Sequence, residues 1–178
     1  MKAQKLLALI GVLAILGGLG VAGFFFGGFF SVAADDRDPN IVNWAIIQVR
    51  EASIARHAAD RPPASLDDRD LVRAGARAYS ELGCINCHGG PGVKPADFSE
   101  GLNPAPNLKK VIGKLLPQEV FWVIKNGIKM TGMPSFGAGK PSPAPDKEIW
   151  AVVAFLKNLQ SVSDEDFKAW SAAPPGGH

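Results

Sequence analysis

Gly83-Cys84-Ile85-Asn86-Cys87-His88-Gly89 puts two thiols and an imidazole into five consecutive positions of a chain that holds only two cysteines. Such a set can close a disulfide, cycle as a dithiol, share a metal ion or hold a prosthetic group. The surrounding sequence narrows the choice.

Upstream, residues 6–30 read LLALIGVLAILGGLGVAGFFFGGFF and carry no charge. About 20 apolar residues suffice for a helix to cross a hydrocarbon core about 30 Å thick. The rival reading is a secretory signal cleaved after Val32-Ala33-Ala34, but the apolar region of a signal runs only about 7 to 15 residues. Residues 1–34 are therefore expected to be an uncleaved anchor. Lys2 and Lys5 precede the span while Asp35, Asp36 and Asp38 follow it, so the positive-inside rule leaves the N-terminus in the cytoplasm and exports the rest.

Of 19 basic and 17 acidic residues, only the basic Lys2 and Lys5 lie before the span, so the exported part is balanced. A nucleic-acid role has no electrostatic support. Charge is uneven along the chain, however. Lys94, Lys109, Lys110, Lys114, Lys125, Lys129 and Lys140 fall in a window with only Asp97, Glu100 and Glu119 as acids. Lysines mostly decorate a solvated face, but a one-sided cluster also steers an acidic partner.

The remaining pattern is helical, with no alternating strand anywhere and no internal repeat. Asp38-Pro39 opens a membrane-proximal helix with Val42, Ala45, Ile46 and Val49 at helical spacing. Arg61-Pro62-Pro63-Ala64-Ser65 then serves as a linker, giving a segment 35–66 and a compact domain 67–160. Asp67, Asp68 and Asp70 favour a helix start, followed by a stripe of Leu71, Ala74, Gly75, Ala78, Tyr79 and Leu82. Leu116-Pro117-Gln118-Glu119 begins another helix that stops near Asn126-Gly127. Residues 146–159 make the last core helix. Ser163 caps a short helix within 161–178, whose end from Pro174 to His178 is expected to fray.

Two long Gly- and Pro-rich connections, 89–107 and 130–145, separate these helices. Unorganised loops beyond about 12 to 15 residues are uncommon in compact domains. A large buried ligand would supply the missing core.

A disulfide across Cys84 and Cys87 closes too small a loop to stabilise much and leaves His88 unexplained. A thioredoxin-like dithiol wants a βαβ setting. Zinc wants further ligands, and the other histidines are His57, upstream of the linker, and His178, at the chain end. Cys-x-x-Cys-His is instead the attachment sequence of c-type haem. Two thioether bonds hold the macrocycle while the adjacent imidazole reaches the iron.

With Cys84-Ile85-Asn86-Cys87-His88, Ala105-Pro106-Asn107-Leu108, Thr131-Gly132-Met133-Pro134-Ser135-Phe136 and a helix over 150–159 in that order, the chain resembles membrane-anchored monohaem cytochromes c with a class I cytochrome c domain. The resemblance implies an all-α fold of helices and long loops around one covalent haem c. By resemblance, Cys84 and Cys87 are the thioether sites, His88 the proximal ligand, Met133 the distal ligand, and Pro106 the residue whose carbonyl accepts the His88 ring N–H. Gly75 and Tyr79 would meet the last helix near Val153 and Ala154. Met130 is expected to pack, His57 to be a surface histidine, and Trp122 and Trp150 to wall the haem or a helix interface.

What the resemblance implies for function is one-electron transfer, since His/Met ligation saturates the iron. No small-molecule substrate is expected. The domain would sit on the periplasmic side of a bacterial inner membrane, between a quinol-oxidising complex or periplasmic dehydrogenase and a terminal oxidase or reductase. Its redox partners would offer an acidic docking surface. A haem-based sensor or catalytic subunit with a labile distal methionine is the alternative.

Overall fold

The computed structural model describes residues 2–33, 36, 38–63, 65–101, 105–137 and 144–172. Asp35, Lys140 and the tail from Pro174 to His178 lie outside the described residues. Eight α-helices and two 3₁₀ turns are present among the described residues, with no strand. The chain divides into two compact units, Met1–Pro39 and Asn40–His178.

The first unit is built on α1 (Lys2–Phe26), whose apolar side chains are almost all exposed. It is one apolar N-terminal helix, long enough over Ala3–Phe26 to cross a membrane.

The second unit spans Asn40–His178. Helix α2 (Asn40–His57) is part of it because Ile54 is buried and His57 stacks on Trp122 at 5.9 Å. His57 is exposed, as expected of a surface histidine, and its Nδ1 lies 2.7 Å from Ser53 O.

Helix α3 (Arg69–Glu81) starts where Asp68 accepts a hydrogen bond from Leu71 N at 2.8 Å. That bond satisfies one of the orphan amides of the first turn. Its buried residues are Val72, Gly75, Ala76, Ala78 and Tyr79, whereas Ala74 faces solvent. The stripe is therefore centred one position away from the expected one, because Val72 and Ala76 complete the face of Gly75 and Tyr79 at three- and four-residue spacing.

That face packs on α7 (Asp146–Lys157), in which every residue from Ile149 to Leu156 is buried. At Gly75 a β-carbon would overlap the Ala151 carbonyl and approach Phe155 Cβ to 2.9 Å. Only glycine permits this crossing, and it falls on Ala151 and Phe155, one turn before or beside the Val153–Ala154 register expected. Tyr79 stacks obliquely on Phe155 at 5.2 Å.

Helix α6 (Pro117–Asn126) lies on α7 through Phe121 and Trp150, whose rings stack at 4.2 Å and 12°. Trp150 thus belongs to a helix interface. Helix α8 (Asp164–Ser171), capped by Ser163, packs on α3. Its Phe167 is 1% exposed and stacks on Phe155 at 5.5 Å.

Candidate functional site

Helix α4 (Cys84–His88) is a single turn following α3 directly. Helical geometry puts Cys87 three and His88 four residues from Cys84, so all three side chains project from one side. The thiols are held separately rather than as a disulfide. Cys84, Ile85 and Met133 are half-buried and pack against the main apolar core. No group of three His, Cys, Asp or Glu side chains suited to a metal ion occurs among the described residues.

Gly89 ends the turn at φ +65°, and a β-carbon there would sit 2.7 Å from Val93 O. Its own amide donates to Ile85 O at 2.9 Å. Downstream, Gly90 and Val93 exchange backbone bonds of 2.9 and 3.0 Å, and Ala96 N donates to Asn86 O at 2.8 Å. The long loop is thereby folded back on α4 by its own backbone.

Pro106 O lies 3.2 Å from His88 Nδ1. The segment is held from below by α5 (Leu108–Val111) and by Gln160 Nε2, which donates to Lys109 O at 3.3 Å. If Nδ1–H is the donor to that carbonyl, Nε2 carries the lone pair, the form of histidine that binds a metal. Burial pushes the His88 pKa down, with the Pro106 bond acting in the opposite sense. The net direction also favours neutral imidazole.

A cavity of ≈ 250 Å³ opens beside these groups, lined by Tyr79, Cys87, His88, Pro106, Lys94 and Lys109 among others. Neither Cys84 nor Met133 lines it. The Tyr79 hydroxyl donates to Gly89 O at 2.7 Å, and its phenol pKa is driven well above the ordinary range, chiefly by burial and then by Cys84 and Cys87.

Met133 sits in the loop between α6 and α7. Ile128 N donates to Met133 O at 3.2 Å, Met133 N to Thr131 Oγ1 at 3.1 Å, and Thr131 Oγ1 to Ile128 O at 2.8 Å. The loop is anchored on the C-terminal carbonyls of α6: Phe136 N donates to Ile124 O, while Gly137 N and Ser135 Oγ both donate to Lys125 O. Those carbonyls have no partner within a helix, so the loop satisfies them.

Met130 differs from its expectation. It is 99% exposed with φ +60° and packs against nothing in the core, because the left-handed backbone turns its side chain outward. Lys125 is also not a simple surface charge. Its ammonium pairs with Asp146 at 2.9 Å and lies over the Phe121 ring.

Sequence reasoning missed the Tyr79–Gly89 bond and the burial of Phe167. The first is a side-chain to backbone contact with no sequence pattern. The second had a signal in the three-residue spacing of Phe167 and Trp170 amid acids, two apolar residues on one helical face.

Residues 70–156 match the profile of the family described as cytochrome C oxidase, cbb3-type, subunit III. No curated protein and no solved structure matches the chain.

Proposed function

Starting from the premise that residues 70–156 form a cytochrome c domain, we propose that the protein carries single electrons on one covalently attached haem c. The arrangement on α4 is what carries this reading: two thiols and an imidazole on one side of a single turn, with Pro106 O against the remaining ring nitrogen. The donor set suits haem, with thiols for two thioether bonds and a neutral imidazole for the iron.

When bound, the haem supplies a reversible one-electron couple. The chain's own residues do the rest. Cys84 and Cys87 fix the macrocycle, His88 ligates, and Pro106 orients the imidazole and raises its basicity. Met133 is the distal ligand in this proposal, supported by its half-buried place in a hydrogen-bonded loop. Methionine ligation raises the potential, which suits delivery to a terminal oxidase or reductase from a quinol-oxidising complex or periplasmic dehydrogenase. Helix α1 anchors the domain to a bacterial inner membrane with residues 67–160 outside the cytoplasm.

The test is spectroscopic. Met133→Ala should abolish the weak near-infrared sulfur-to-iron charge-transfer band, and Met130→Ala should leave it. The reverse outcome would reassign the distal ligand.

Partner docking belongs to the same proposal. Lys94 and Lys109 line the cavity beside His88 and are exposed, so an acidic partner surface is drawn there. Association should slow with salt as the Debye length falls from about 10 Å at 0.1 M to about 3 Å at 1 M. Lys94→Glu with Lys109→Glu should slow it further. Lys125 is a poor probe, since its reversal would set two carboxylates against each other.

A further inference from the structure

We propose that the Tyr79 hydroxyl and the Phe167 ring are positioning groups for His88, clamping the backbone immediately after it so that the imidazole keeps its contact with Pro106. The proposal rests on His88 being an iron ligand. Tyr79 is 2% exposed, and packing alone would be served by phenylalanine. The hydroxyl instead donates to Gly89 O at 2.7 Å, ten residues on.

Gly89 is committed on its other side too, its N–H donating to Ile85 O. The next residue is held from a second direction. A β-carbon on Gly90 would stand 2.8 Å from Phe167 Cε1, so the ring lies directly on that backbone. Phe167 is itself fixed between Phe155, at 5.5 Å, and Tyr79, at 6.3 Å and 71°. The clamp therefore joins three helices, α3, α7 and α8, to the exit of α4.

Magnitude decides why this matters to His88. The 3.2 Å separation of His88 Nδ1 and Pro106 O is at the long end of the usual N–H···O range of about 2.7 to 3.2 Å. A shift of a few tenths of an ångström at Gly89 is enough to break it. Losing that bond lowers the imidazole's basicity as a ligand, and a poorer donor stabilises ferric iron less. The reduction potential should rise.

The experiment uses the full haem-loaded chain. Tyr79→Phe and Phe167→Leu are compared with Ile54→Ala, a buried residue on α2 outside the apolar cluster that contains Tyr79 and Phe167. Expected are an upward shift of potential and displaced hyperfine-shifted His88 ring proton resonances in both clamp variants. The methionine charge-transfer band should persist. Ile54→Ala should lower the melting temperature and move neither signal. If one clamp variant does not accumulate, the other is read in the same way.

Clamp variants that melt earlier but keep the wild-type potential and His88 resonances would overturn the positioning role while leaving the haem reading intact. A wild-type chain without covalent haem would overturn both.

Discussion

The crossing of α3 with α7 and the loop that carries Met133 are held by opposite means. At the crossing, Gly75 lets two helices approach until backbone meets backbone, and Phe155, Tyr79 and Phe167 fill the space around it. In the loop, order comes from hydrogen bonds to the last carbonyls of α6 and from the Thr131 hydroxyl, with Met133 only half-buried. The first is stabilised by area removed from water, at about 25 cal/mol per Å². The second rests on bonds each worth about 0.5 to 1.5 kcal/mol net. A domain built this way should keep its helical crossing under conditions in which the methionine loop already opens.

The largest effect should follow from Phe167→Ala. Truncating a fully buried phenylalanine costs about 3 to 5 kcal/mol, and here it also uncovers Gly90. Thermal unfolding followed by far-ultraviolet circular dichroism should show the whole domain destabilised. A near-native midpoint would mean that α8 is an appendage rather than part of the core.

Gly75→Ala comes next. Its β-carbon has no room beside the Ala151 carbonyl, and overpacking of this sort costs about 1 to 3 kcal/mol. The same melt should report it, with the methionine charge-transfer band lost only together with the fold.

Ser135→Ala should act on the other side of the comparison. It removes the 2.7 Å bond to Lys125 O, worth about 1 kcal/mol. The expected signature is a charge-transfer band that disappears at a lower temperature than the helical signal, as local opening does. Coincident loss of the two would merge loop and crossing into one cooperative unit.

The smallest effect concerns pH. A hydrogen bond from Lys157 holds the Asp67 carboxyl below its ordinary value, helped by that ammonium's charge and by Asn158 and opposed by partial desolvation. A carboxylate with a depressed native pKa contributes stability above its unfolded value, about 3.9, and loses it as pH falls through the native value. The pair is exposed, so salt screening keeps the contribution slight. The stability difference between the native chain and Asp67→Asn should be present at neutral pH, shrink below about pH 4, and diminish with salt.

These contrasts match what could be read in the residues. The turn at Cys84–His88, the start of α3 at Asp68 and the span of α6 up to Gly127 are local features, each announced by a glycine, proline, cap or apolar spacing. The register of Gly75 on Ala151 is not local, since a glycine announces closeness without naming its partner. The attachment of α2 is hidden in the sequence because His57 meets Trp122, and Ile54 is covered, only after the chain has folded. Met130 departs from its expectation for a similar reason: a helical run precedes it, but its own left-handed backbone ends the pattern. The bonds of Phe136, Gly137 and Gly89 run through backbone atoms, which every residue shares.

Asn158 Nδ2 reaches Leu66 O at 3.0 Å, and Lys157 reaches Asp67 at 2.9 Å. These two contacts latch the start of α3 to the end of α7, while α2 and α8 extend the unit beyond the latch on both sides. A portable cassette would therefore run from Asn40 through α8, carried on a different anchor by a connector attached ahead of α2.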